Sequence, residues 1–121
     1  MRNCLILMSF LLIACSEATI YESDNISIQS VKNGILIENK TSQTIYWTAF
    51  EREILAVIDW VPCIDPEQCD GVLPGKSQTI LFEKIPGYST GKEVVVYWWN
   101  LEKQDDESHR VVNFQSAVVK P

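Results

Sequence analysis

Glu93-Val94-Val95-Val96-Tyr97-Trp98-Trp99-Asn100-Leu101 reads as one β-strand, the longest and most apolar of the chain. Its β-branched and aromatic residues suit a pleated surface. Neighbouring side chains on a strand point to opposite faces, so Val94, Val96 and Trp98 share one face and Val95, Tyr97 and Trp99 the other. An antiparallel sheet ordinarily buries one face and wets the other. Here both faces are apolar. Either a second layer covers each face, or Tyr97 and Trp99 form an exposed patch.

The stretch Thr44 to Phe50 behaves in the same way, with Ile45, Trp47 and Ala49 opposing Tyr46, Thr48 and Phe50. Tyr46, Phe50, Tyr97 and Trp99 are therefore the candidate ligand-contact surface. Exposed aromatic rings in a row can stack on sugars or anchor a partner protein. The competing expectation is core and cross-strand packing.

Further short strands are read on either side. Ile26 to Val31 and Ile35 to Ile37 flank a turn at Asn33-Gly34. Asn39 to Gln43 is a polar turn. Glu51 to Leu55 fits one helical turn or a bulged link. Ala56 to Val61 is read as a fourth strand stopped by Pro62, and Cys63 to Lys76 as a loop. Ser77 to Phe82, the 93–101 strand and Arg110 to Val119 complete seven. Turns at Pro86 to Lys92 and Glu102 to Ser108 separate them. Seven short strands and no convincing long helix predict an antiparallel sandwich or small barrel.

Catalytic signatures are sparse. His109 is the single histidine. Ser108 beside it would point to the opposite face of a strand, and no Gly-x-Ser-x-Gly elbow occurs. Gly87-x-x-x-Gly91-Lys92 lacks the first half of a phosphate-binding loop. Asp105-Asp106-Glu107 reads as a charged hairpin tip. Asp65, Glu67 and Asp70 are weak candidates for a cation site, but their spacing departs from the EF-hand loop. No cofactor is expected, and an enzyme, a small hydrolase or metal-binding protein, is the least favoured class.

The N-terminus carries an address. Arg2 precedes a short apolar run, Leu5 to Ile13, too short to span a bilayer and read as an export signal. Leu12-Ile13-Ala14-Cys15 resembles the lipobox of bacterial lipoproteins. The resemblance implies cleavage before Cys15 and lipidation of that cysteine. Ser16 after it implies outer-membrane sorting in a Gram-negative envelope. An ordinary secretory cut after Ala18 is the alternative. The domain organisation that follows is a signal peptide over 1–14, lipidated Cys15 and a flexible tether over 15–25, and one β domain over 26–121.

Removal of residues 1–14 leaves 107 of 121 residues and, with the loss of Arg2, shifts the net charge from −6 to −7. An acidic domain argues against nucleic acid and against a polybasic grip on anionic lipid, so the acyl chains would be the membrane contact. Cys4 leaves with the signal and Cys15 takes lipid, so Cys63 and Cys69 are expected to pair in an oxidising envelope. Closing so short a loop stabilises by roughly 2 kcal/mol in the chain-entropy model. One histidine far away makes a zinc site a poor rival. Asn25-Ile26-Ser27 and Asn39-Lys40-Thr41 match glycosylation acceptors, an accident if the lipobox is bacterial.

Two further resemblances bear on fold and class. Leu73-Pro74-Gly75-Lys76-Ser77 followed by Thr79-Ile80-Leu81-Phe82 resembles bacterial immunoglobulin-like domains and implies a seven-stranded immunoglobulin-like β-sandwich. The cysteines depart from the antibody pattern. The series Ile58-Asp59-Trp60-Val61-Pro62-Cys63, Cys69, Pro74-Gly75, Gly87-Tyr88-Ser89-Thr90-Gly91 and Val96-Tyr97-Trp98-Trp99 is similar to small uncharacterised bacterial envelope proteins, which bring no activity with them. The expectation is a non-enzymatic binding domain held at the envelope membrane, with an envelope protein or a glycan as ligand. A structural accessory subunit, its apolar faces covered by partner chains, is the alternative.

Overall fold

A computed structural model describes residues 20–23 and 25–121. Eight strands run in order: β1 Ile20–Glu22, β2 Ile26–Val31, β3 Gly34–Asn39, β4 Ile45–Glu51, β5 Gly71–Val72, β6 Ser77–Leu81, β7 Val94–Lys103 and β8 His109–Val119. They form two antiparallel sheets, β1-β2-β3-β6 and β5-β4-β7-β8.

The sheets meet through one apolar core. Ile26, Ile28, Ile35, Ile37 and Ile80 enter it from the first sheet, and Ile45, Ala49, Val72, Val94, Val96, Trp98 and Val119 from the second. Their positions follow the two-residue period of each strand, as the alternation requires.

Five of the seven expected strands lie where the pattern puts them, and the 93–101 strand is longer, running to Lys103. Three features differ. Ala56 to Val61 is not a strand. A 3-10 turn occupies Glu53–Ala56, and the chain is irregular from 58 to 65. The cause is local. The buried Glu51 carboxylate accepts the backbone N–H groups of Glu53 (2.7 Å) and Ile54 (3.1 Å), which draws the chain out of the extended state. On the side of β4 away from β7, the pairing strand is the two-residue β5.

The second difference is β1, which pairs with β2 within the stretch read as tether. The third is the hairpin turn. Val31 pairs directly with Gly34, so Lys32 and Asn33 form the turn and Gly34 opens β3. Glycine is needed there for room: a Cβ at Gly34 would stand 2.1 Å from the carbonyl oxygen of Ile80 on β6.

Candidate functional site

The outer face of the β4–β7–β8 sheet carries the candidate aromatic residues. Tyr46 pairs with Trp99, Thr48 with Tyr97 and Phe50 with Val95 across the ladder. Phe114 on β8 stacks on Tyr97 (ring centroids 5.5 Å apart) and on Trp99 (6.0 Å).

This face is covered by the chain between the 3-10 turn and β5. Trp60 lies over it, 4.7 Å from Tyr97, 5.4 Å from Phe50, 6.3 Å from Phe114 and 6.5 Å from Trp99 between ring centroids. The tilted arrangements are those that aromatic quadrupoles favour. The covering segment is fastened at both ends of its apolar contact. The Trp99 indole Nε1 donates to the Cys63 carbonyl at 3.0 Å, and the Trp47 backbone N–H donates to the Asp70 carbonyl at 3.1 Å. Between those anchors Cys63 and Cys69 are joined by a disulfide.

Both faces of β7 are thus covered, one by the second sheet and the other by this segment. Trp99 is buried, at 1 % exposure, and lies beneath the surface it was expected to form. Tyr46, Phe50 and Tyr97 are partly buried. The residue missing from the expected surface is Trp60. Its sequence signal was an aromatic residue just before Pro62, which a central strand does not accommodate.

What remains exposed is an apolar rim. Val57 and Val61 are 80 % and 82 % exposed, and Ile64 joins them on the covering segment. Phe114 and Val118 project from the outer face of β8, an edge strand. Asp59, Asp65, Glu67 and Asp70 belong to the same segment, and none makes an ion pair with a described residue.

Of the weak metal candidates, Asp65 is engaged within its own turn. Asp65 Oδ1 accepts the Glu67 backbone N–H at 3.1 Å, and its carbonyl accepts Gln68 and Cys69. Among the described residues no three His, Cys, Asp or Glu side chains are gathered as a ligand set. His109 opens β8 opposite Lys103, while the Ser108 hydroxyl donates to Asp106 rather than to the imidazole. That bond and the Ser108 backbone N–H hold the Asp106 carboxyl below the usual aspartate range. The Glu53 carboxylate, 2.9 Å from Lys92 Nζ, raises the Lys92 ammonium pKa.

Cys15 and the signal segment lie outside the described residues. Among those described, no helix is long and apolar enough to cross a membrane. No protein-family model, curated protein or solved structure matches the chain.

Proposed function

We propose that this chain is a non-enzymatic binding domain with an immunoglobulin-like sandwich, lipid-anchored through Cys15 to the bacterial envelope membrane, on the outer membrane where there is one. The lipobox-like Leu12-Ile13-Ala14-Cys15 supports the anchor. Taking β2 to β8 as the seven strands A to G, the sheets read A-B-E and D-C-F-G. An immunoglobulin constant domain reads A-B-E-D and C-F-G. The fourth strand alone has changed sheet, which supports the immunoglobulin-like assignment.

The observation that carries the binding role is the rim. Among the described residues, five of the seven large apolar side chains that stand exposed (Val57, Val61, Ile64, Phe114 and Val118) belong to the covering segment or to β8, which Trp60 touches through Phe114. Exposed apolar groups gathered on one side mark interaction surfaces more than scattered ones do. The unpaired carboxylates of the same segment favour a partner protein that presents Lys or Arg beside apolar side chains.

Photo-crosslinking in cells tests this. A benzoylphenylalanine at Val61 is expected to give a discrete adduct with an envelope protein, lost when Asp59 and Asp65 are both changed to Asn. The same probe at Lys32, in the β2–β3 turn, is expected to give none. No adduct at either Val61 or Phe114 would overturn the reading. An adduct with a second copy of the chain would favour the accessory-subunit alternative. Membrane partitioning of Cys15→Ser tests the anchor separately: the variant is expected in the soluble fraction, and retention in membranes would refute lipidation at Cys15.

A further inference from the structure

We propose that the end of the sandwich remote from the covering segment's 3-10 turn holds a binding site for a neutral, hydroxyl-rich ligand, a short neutral oligosaccharide. A cavity of about 270 Å³ opens there, lined by Asn25, Thr41, Trp98, Asn100, Asn113 and Gln115 among others. It shares four of these residues with an adjoining groove of about 420 Å³ that extends along the β3–β4 turn past Ser42 and Gln43. Ligand clefts begin at about 300 Å³, so the space suits a small ligand.

The site is built by an irregularity in the sheet. Between the pairs Trp98–Gln115 and Asn100–Val112, β7 contributes one residue and β8 two, so Asn113 and Phe114 face Trp99 in a bulge. Asn113 has φ 57°, the left-handed region that Asn tolerates better than most side chains. The bulge places the Asn113 amide against that of Asn100, with Nδ2 donating to Oδ1 at 2.9 Å, while Asn100 Nδ2 donates to the Thr44 carbonyl at 3.0 Å. The facing turn is held by Asn39, which is 1 % exposed and bonded to Thr41, Gln43 and Val72.

The chemistry of the lining selects the ligand class. Carboxamides and hydroxyls each offer a donor and an acceptor, as do sugar hydroxyls. Lys40 is the one charged residue on the groove, and its ammonium is already engaged by Glu22 and the Ser23 carbonyl. Among the described residues no other charged side chain lines the cavity or the groove. Trp98 lines the cavity at 2 % exposure, and its indole N–H is buried with no partner among the described residues. A buried donor without an acceptor is costly, and the indole resonance reports on changes at the cavity that Trp98 lines. The other such indole, Trp47, lines the separate groove between the β4 and β6 edges.

The test is a titration of the full-length, nitrogen-15-labelled protein in sugar-free detergent micelles, followed by amide and indole NMR. The probes are maltotriose, cellotriose and N,N′,N″-triacetylchitotriose, with inorganic phosphate as the anionic comparison. At least one trisaccharide is expected to shift the Trp98 indole and the Asn100 and Asn113 carboxamide resonances saturably at millimolar concentration, and phosphate to leave them in place. Asn113→Gly keeps the left-handed backbone and removes the carboxamide, and is expected to weaken binding about tenfold, the scale of one hydrogen bond. The proposal is overturned if no trisaccharide moves these resonances, if phosphate moves them instead, or if Asn113→Gly binds as the parent does. These resonances lie apart from the Val57–Val61 rim, so the outcome is independent of the crosslinking result.

Discussion

Replacing Trp60 with alanine removes the ring that covers the outer face of β4, β7 and β8. A fully buried Trp→Ala change costs about 3–5 kcal/mol. Trp60 is partly buried, which reduces the transfer part to roughly half of that. Its two nearest rings, Tyr97 at 4.7 Å and Phe50 at 5.4 Å, add about 0.5–1.5 kcal/mol each as aromatic pairs where they are well formed. The expected loss is therefore about 2.5–5 kcal/mol, or a fall in Tm of roughly 10–30 °C for a domain of this size. Urea unfolding followed by far-ultraviolet circular dichroism avoids reporting on the tryptophan that has been removed. The midpoint should fall with little change in slope, and Trp60→Phe should recover part of the loss. A cost under about 0.5 kcal/mol, the range of an ordinary surface substitution, would refute the seating of Trp60 on the sheet.

Three other changes probe separate joints of the fold. Gly34→Ala places a Cβ 2.1 Å from the Ile80 carbonyl oxygen and 3.0 Å from Leu81 Cα, so β6 must shift; urea unfolding should show a loss of about 3 kcal/mol, the upper end of overpacking. Asn39→Ala removes the side-chain donor to the Val72 carbonyl and the acceptor of the Thr41 N–H and hydroxyl, and should cost about 2–3 kcal/mol in the same assay. Asp106 titrates below its ordinary value, so its contribution is fully present above the unfolded-state value of about 4 and is lost as pH falls through the lower folded value. Asp106→Asn should therefore lose its stability difference from the parent in acid and keep a constant, small one at neutral pH, as expected for an exposed group.

Much of the fold is legible wherever apolar alternation repeats. Ile26 and Ile28, Ile35 and Ile37, and Val94, Val96 and Trp98 mark inner faces that the core uses. Short edge elements are not legible: β1 is three residues in a polar stretch, and β5 is Gly71-Val72 inside a loop. Ala56 to Val61 misleads because its β-branched residues match a strand while the Glu51 carboxylate turns the chain just before it. The pairing of Cys63 and Cys69 was readable from cysteine count and is present.

The sites were readable in part. The two apolar faces of β7 left open a second cover or an exposed patch, and the outer face is covered, with Trp99 buried. That the outer cover is Trp60 depends on a segment folding back over β7, with Tyr97 and Trp99 37 and 39 residues away in sequence, a contact no local period encodes. The amide cavity depends on a bulge that brings Asn113 to Asn100, and neither residue stands out alone.

The most direct measurement is a two-dimensional NOE spectrum of the oxidised protein together with exchange of the Trp99 indole proton. Cross-peaks from Trp60 to the rings of Tyr97 and Phe114 are expected, and the Trp99 indole proton, bonded to the Cys63 carbonyl, should exchange slowly. Absence of those cross-peaks with fast exchange of the Trp99 proton would contradict the covered face and return the contact surface to Tyr97 and Trp99 themselves.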